Sequence, residues 1–343
     1  MSFNYSMDAY VKRLYGEAAQ RRSGRPEEGT EAWREALLGG LRQALGRLPD
    51  EDAASPLEPV LLETKDYGDF VMERVAYSTI PSVTVPVLVL KPKDGEGPWP
   101  AVIACHGHGN GQLDAVGMDP EEALLDQPGI HNRFAVELVK RGLLVVIPEI
   151  MGFGLRRITE EMRKKPHLSS CATLSSHLLM QGSTLAGIRV YEARRAIDYL
   201  QSRNDVDSQR VGIIGFSGGG LVAAYTAALD DRISAAVLTG WTNTFEGSIL
   251  SVTHCIDNYL PGILNEAEQQ ELVGLIAPRP LFVEAGEGDR LFPVEHVRKA
   301  AAYLEGVYER MGAGGQFGLD VFPGGHEISG RISFDWLADR LFR

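Results

Sequence analysis

The sequence predicts an α/β protein with a mostly parallel sheet flanked by helices. Eight short apolar runs have strand character, and stretches with helical periodicity separate most of the later ones. Around Ser217 a strand, a Gly-x-Ser-x-Gly turn and a helix follow one another directly. The 343 residues are enough for one large α/β domain with an extension.

The chain is expected to divide into an N-terminal helical extension, residues 1–65, and a larger α/β domain, residues 66–343, which holds all the candidate site residues. Helical segments near Met7–Arg21 and Glu31–Leu48 are expected to pack on the sheet edge, or to form a contact between protomers. The first strands of the sheet should be antiparallel. The predicted strands are Val71–Ile80, Val83–Lys91, Ala101–Cys105, Leu143–Ile147, Arg210–Ile214, Ile233–Leu238, Pro280–Ala285 and Leu319–Phe322.

Ser217 is the predicted nucleophile. It lies in Gly215-Phe216-Ser217-Gly218-Gly219, between the strand that ends at Ile214 and the helical run Leu221–Leu229. Such a turn lifts the serine hydroxyl clear of the backbone and holds the residue in an unfavourable conformation. A glycine-rich turn that binds phosphate, or nothing, is the alternative interpretation. The downstream residues decide between the two, because an acid and a histidine follow in the required order.

Asp289 is the predicted acid of the site. It follows the buried strand Pro280–Ala285, at the carboxyl end where parallel sheets place functional loops. Three glutamates compete with it. Glu284 lies within the strand, Glu287 lies in the same loop, and Glu295 lies in a predicted helix.

His326 is the predicted base. It lies on the glycine-rich loop after the strand Leu319–Phe322, close to the end of the chain. Imidazole suits this role because its ordinary pKa, about 6.5, lies close to neutral pH, and a carboxylate can fix its tautomer. Four other histidines are interpreted as surface or core residues: His131, His167, His177 and His296.

The loop after Ala101–Cys105 is predicted to contribute to an oxyanion hole. Backbone N–H groups of His108 and Gly218 are the expected donors, with Gly109 as the alternative to His108. The His-Gly-His-Gly run that starts at His106 could also indicate a metal site. No metal is expected, because no cluster of ligands with suitable spacing accompanies the run.

Several motifs together resemble the α/β-hydrolase superfamily, in particular its acetyl xylan esterase-like or dienelactone hydrolase-like family. The resemblance runs from about Tyr67 to the end and implies the α/β-hydrolase fold, with an eight-stranded, mostly parallel sheet. Position 217 is serine, whereas a true dienelactone hydrolase would use cysteine. The matching segments are His106–Gly109, Pro148–Gly154, Gly182–Leu200, Gly215–Gly220, Asn258–Gly262, Ala277–Pro280 and Phe322–Glu327.

Composition excludes some classes of protein. The net charge of −12 disfavours a nucleic-acid partner. No run of 18 apolar residues suggests a membrane span, and the first eight residues lack a signal-peptide pattern. Three scattered cysteines fit a reducing compartment, so we expect a cytoplasmic protein. A small-molecule ester is the expected partner, no cofactor is implied, and a homo-oligomer is left open.

The favoured function is a serine hydrolase of short-acyl, acetyl-type carboxylic esters. A prolyl-oligopeptidase-type peptidase and a non-catalytic binding protein on the same fold are the alternatives.

Residues 151–180 and 240–265 interrupt the strand–helix alternation and are expected to form a lid and pocket walls. Five cations in the first of these segments should disfavour a fatty chain: Arg156, Arg157, Arg163, Lys164 and Lys165. Candidate lining residues are Met151, Trp241, Phe245, His254 and Tyr259.

Overall fold

A nine-stranded sheet forms the centre of the molecule in the computed structural model, which describes residues 5–49, 55–165 and 168–343. His167 and residues 1–4 of the N-terminal segment lie outside the described residues. The strands occur in the order β1-β2-β3-β5-β4-β6-β7-β8-β9. They are β1 Val60–Asp66, β2 Phe70–Ile80, β3 Val83–Pro92, β4 Trp99–Cys105, β5 Leu144–Pro148, β6 Val206–Phe216, β7 Ala235–Thr239, β8 Leu281–Gly286 and β9 Phe317–Phe322.

Twelve α-helices in the described ranges surround this sheet. Within the same ranges, no helix has both the length and the apolar character needed to cross a bilayer. The helices are α1 Asp8–Arg22, α2 Glu31–Leu45, α3 Gln112–Val116, α4 Phe134–Val139, α5 Thr159–Lys164, α6 Cys171–Leu179, α7 Leu185–Gln201, α8 Gly218–Leu229, α9 Ile263–Glu266, α10 Gln269–Gly274, α11 Val294–Arg310 and α12 Ser333–Phe342.

Strand β1 is the element that the sequence did not predict. It pairs antiparallel with β2 and forms one edge of the sheet, so the sheet has nine strands rather than eight. All seven of its residues are exposed. A strand without a buried face has no reason to alternate apolar and polar residues, which is why the pattern was missed. Strand β1 therefore belongs to the sheet, although it lies within residues 1–65.

The two N-terminal helices pack elsewhere than expected. Instead of covering the sheet edge, α1 contacts α9, and α2 contacts α9 and α10. The Tyr15 hydroxyl donates to Glu268 at 2.6 Å, and Arg25 pairs with Glu271 at 3.2 Å. On the inner side of α2, Trp33 and Leu41 are buried in the core. The two helices thus brace the segment that follows β7, while β1 occupies the sheet edge.

Two apolar cores lie on the opposite faces of the sheet. Alternate residues of β3 separate between them: Val87 and Val89 face the core that includes α2, α7 and α8, and Leu88 and Leu90 face the core that includes α4 and α12. Such two-sided burial explains the near-continuous apolar runs of the central strands.

The order in which strands are added to the sheet reverses between β4 and β6. These strands are parallel neighbours, but β4 connects onward to β5 on one side, whereas β6 connects to β7 on the other. Ligands of open α/β sheets bind in the crevice at the carboxyl ends of such a strand pair. The loop after Cys105 and the turn at Ser217 meet at this point, so the topology predicts that both border a ligand-binding crevice.

Candidate active site

Ser217 occupies a strained turn between β6 and α8. Its backbone has φ 55° and ψ −122°, a region that residues with a side chain rarely adopt. Glycine is required on either side because the chain segments touch. A Cβ atom at Gly219 would lie 2.1 Å from the carbonyl oxygen of Cys105, and one at Gly215 would lie 2.2 Å from that of Gly219. The conformation predicted from the sequence is therefore present.

The three residues predicted as nucleophile, base and acid lie in contact. Ser217 Oγ is 2.9 Å from His326 Nε2, and His326 Nδ1 is 2.8 Å from Asp289 Oδ2. The other carboxylate oxygen of Asp289 accepts hydrogen bonds from the backbone N–H groups of Leu291 and Phe292, at 2.8 and 3.1 Å. These bonds fix the buried carboxylate, which in turn fixes the imidazole.

The competing glutamates occupy other positions. Glu284 is buried, and burial raises the pKa of its carboxyl group. Its oxygens accept from the hydroxyls of Thr239 and Ser333 and from the backbone N–H groups of residues 329 and 330. Glu284 therefore anchors the segment that follows His326. Glu287 is exposed, and Glu295 lies beside His296.

Two histidine rings hold the loop that follows β4. Ile150 donates its backbone N–H to His106 Nε2 at 3.0 Å, and Gly107 donates to His131 Nε2 at 3.1 Å. Gly218 is the first residue of α8, and the N–H group at the start of a helix has no acceptor one turn before it in the helix. A Cβ atom at Gly218 would lie 3.1 Å from the His108 ring, so the predicted oxyanion residues are neighbours. Their role as donors stays a prediction.

His131 leads to a prediction about pH. Burial lowers its pKa to about 4, and the neutral ring is the form that accepts from Gly107. The unfolded chain binds the proton near the ordinary value of about 6.5, so this contribution to stability is present above that pH and is lost as pH falls toward 4. Between pH 7 and pH 5 the wild type should lose about 2 kcal/mol more unfolding free energy than His131→Gln, whose amide oxygen can accept without titrating.

Urea unfolding at both pH values measures this difference. The remaining histidines titrate in both proteins, so their contributions cancel in the comparison. Equal losses in the two proteins would show that the pKa of His131 is the same in the folded and unfolded states.

A partly buried polar cluster, here called the His108 cluster, lies next to Gly218. It consists of His108, Cys171, Cys255 and Asp257, whose potential ligand atoms lie within 4.8 Å of one another. Burial disfavours the charged form of His108, but the neighbouring Asp257 and Cys171 outweigh it and raise the pKa to about 9. A hydrogen bond between the two thiols, followed by the influence of His108 and Arg189, lowers the pKa of Cys171 to about 5. No spacing in the sequence connects His108 with these partners, because the fold collects them from distant segments.

A cavity of ≈ 220 Å³ opens above Ser217. Of the candidate lining residues, His254 lines it. Phe245 and Tyr259 instead line a separate groove against α1, and neither Trp241 nor Met151 is among the described lining residues. The cavity is lined by His108, Ile130, Phe216, Ser217, Gly218, Thr253, His254, Cys255, Asn258, Leu291, Phe292 and His326.

The predicted lid cations do not reach this cavity. Arg156 forms a buried pair with Glu192 at 2.6 Å, and Arg157 lines a different cleft. Arg163, Lys164 and Lys165 are absent from the lining among the described residues. The expectation that these cations border the acyl site is therefore wrong. Other residues form the walls that limit the size of the cavity.

The sequence matches the Abhydrolase family over residues 23–310, which include Ser217 and Asp289. It is 33% identical over 293 residues to "Putative hydrolase YtaP" of Bacillus subtilis (strain 168), which covers 83% of this chain and 91% of that protein. Two solved structures share the fold. A "putative acetyl xylan esterase (BF1801)" from Bacteroides fragilis NCTC 9343 has a TM-score of 0.74 at 18% identity, covering 94% of this chain and 83% of that chain. The glucuronoyl esterase from Solibacter usitatus has a TM-score of 0.65 at 16% identity, covering 92% and 93%. The chain therefore belongs to the Abhydrolase family and has the α/β-hydrolase fold.

Proposed function

We propose that the protein is a serine hydrolase that cleaves short-acyl carboxylic esters through an acyl-enzyme. The observation that carries this proposal is the chain of contacts from Ser217 Oγ through the imidazole of His326 to Asp289, at the floor of the cavity. A nucleophile, a base within hydrogen-bond reach and a group that orients the base are the arrangement that activates a serine.

Each residue has one role in the proposed reaction. Ser217 Oγ attacks the acyl carbon while His326 Nε2 takes its proton, and the Asp289 carboxylate stabilises the imidazolium. Backbone N–H groups of Gly218 and His108 would stabilise the oxyanion of the tetrahedral intermediate. His326 then gives the proton to the leaving alcohol. Water, activated by the same imidazole, attacks the acyl-enzyme and releases the acid.

The named relatives favour esters over amides. Two proteins with this fold are described as esterases, one of acetyl xylan and one of glucuronoyl groups. The peptidase alternative is tested with a matched panel, in which each ester is paired with the amide of the same acyl group. Turnover of the amides at rates similar to the esters would favour the peptidase.

Labelling with a fluorophosphonate tests whether the site is catalytic at all. We expect modification at Ser217 and none in Ser217→Ala. Ser248→Ala is the matched control, because Ser248 Oγ also lies 2.9 Å from a histidine, His254, but belongs to no acid–base chain in the proposed mechanism. An unlabelled wild type would favour a non-catalytic binding protein.

Acyl length gives a further prediction. The cavity of ≈ 220 Å³ is smaller than pockets for drug-sized ligands, which span about 300–1,000 Å³. Each methylene that contacts an apolar wall contributes about 0.8 kcal/mol, so kcat/KM should rise only until the space is filled. Across p-nitrophenyl esters from acetyl to dodecanoyl, we expect the maximum between acetyl and butyryl and a decline beyond it. A maximum at octanoyl or longer would contradict the short-acyl assignment.

A further inference from the structure

The geometry of the His108 cluster points to a metal site: we propose that its four side chains bind one Zn²⁺ ion in a closed, tetrahedral, structural site. The cluster offers one imidazole nitrogen, two thiolate sulfurs and one carboxylate oxygen, all within 4.8 Å of one another. This proposal goes beyond the hydrolytic function, and it does not require that function to be correct.

The chemistry of the donors favours zinc. Thiolate and imidazole ligands select Zn²⁺ over Mg²⁺ and Ca²⁺, which prefer oxygen. Zn–S bonds of about 2.3 Å and Zn–N or Zn–O bonds of about 2.0–2.2 Å place tetrahedral ligands roughly 3.3–3.8 Å apart. The Nε2 atom of His108 already lies 3.4 Å from Asp257 Oδ2. No pair of ligand atoms is more than 4.8 Å apart, so the remaining distances have to shorten by about 1.5 Å at most.

One ligand atom has an ion-pair neighbour but no hydrogen bond. His108 Nε2 is buried and lies 3.4 Å from Asp257 Oδ2, yet it makes no hydrogen bond among the described residues. A buried nitrogen that is not hydrogen-bonded is costly, and a metal ion between the two atoms would satisfy both of them. The edge-on contact between the His108 and Phe153 rings, with centroids 4.9 Å apart, holds the imidazole in this orientation.

Arg189 balances the charge of the proposed site. Two thiolates and the Asp257 carboxylate carry three negative charges, and the ion together with Arg189 carries three positive ones. The guanidinium is buried and donates to Asp257 Oδ2 at 2.6 Å and to Cys171 Sγ at 3.1 Å. Asn258 donates to the other oxygen of Asp257 at 2.9 Å. Hydrogen bonds of this kind orient the ligands of metal sites.

The ion would join three segments that are far apart in the sequence. His108 follows β4, Cys171 begins α6, and Cys255 and Asp257 lie in the excursion after β7. His108 and Cys255 also line the cavity above Ser217. Zn²⁺ would therefore fix one wall of that cavity, including the His108 segment, without contacting Ser217 or His326.

Metal binding can be measured without reference to hydrolysis. The full-length protein is reduced, freed of metal with a chelator and titrated with Zn²⁺ against a chromophoric competitor. We expect one ion per chain and a rise in Tm on binding. Co²⁺ in place of Zn²⁺ should give the thiolate charge-transfer and tetrahedral d–d absorption of a two-sulfur site. In the double variant Cys171→Ser/Cys255→Ser, Kd for Zn²⁺ should rise by more than about 100-fold.

Cys105→Ala is the matched control, because Cys105 is the one remaining cysteine and lies outside the cluster. It should bind Zn²⁺ as the wild type does. If the double variant does not fold, Cys255→Ser alone, at a half-buried position, serves in its place. Binding that is substoichiometric, or equal in wild type and double variant, would overturn the proposal. A disulfide between Cys171 and Cys255 that persists under reducing conditions and prevents Zn²⁺ uptake would overturn it as well.

Discussion

Ser217→Ala should remain folded and lose about 10⁶-fold in kcat on an acetyl ester. The substitution removes only the oxygen that contacts His326 Nε2, at a site whose backbone is held by its glycine neighbours. The residual rate would come from the oxyanion donors and from binding, which remain in place. Steady-state kinetics with p-nitrophenyl acetate, together with circular dichroism, measure both parts of this expectation.

Ser248→Ala again provides the control, since it deletes a buried serine hydroxyl that also contacts a histidine. Its kcat should stay within about a factor of ten of the wild type, because a lost neutral hydrogen bond alters local stability by only about 1 kcal/mol. A folded Ser217→Ala protein that kept a tenth of wild-type activity would remove Ser217 from the mechanism.

Asp289→Asn should lower kcat by about 10⁴-fold while the structure is retained. Asparagine can still accept from the N–H groups of Leu291 and Phe292, which hold the present carboxylate. It cannot stabilise an imidazolium, and its amide favours the tautomer of His326 that cannot take the serine proton.

Glu287→Gln is the matched variant, since it also neutralises a carboxylate in the loop after β8, but at an exposed position. Near-normal kcat is expected for it. If the outcomes were reversed, with Asp289→Asn active and Glu287→Gln inactive, the acid would have been assigned to the wrong residue, and the loop would have to rearrange during the reaction.

The contacts at Ser217 could be predicted from the sequence because each of their requirements is local. A strand, a turn rich in glycine and a helix are readable around Ser217, and the positions of Asp289 and His326 after later strands follow from the order of a parallel sheet. Local patterns also indicated α1 and α2. What they could not provide was the surface against which those two helices pack, because that surface is made by α9 and α10, more than 200 residues away in the chain.

The features that were missed depend on tertiary contacts. Strand β1 is held by backbone hydrogen bonds to β2, and such bonds leave no trace in side-chain periodicity. The partners of His108 come from two separate excursions of the chain, so no spacing rule joins them. Arg156 looked like a solvated lid residue, but it is buried against Glu192 of α7. Pairing between distant segments decides each of these cases.

The backbone angles of Ser217 have a consequence for the evolution of this chain. A residue with a side chain at φ 55° and ψ −122° costs the fold about 1–3 kcal/mol, a large share of the margin by which a domain stays native. Glycine would relieve that cost at once. A lineage selected only for thermal robustness would therefore drift toward glycine at position 217, and keeping serine there requires selection on something other than stability.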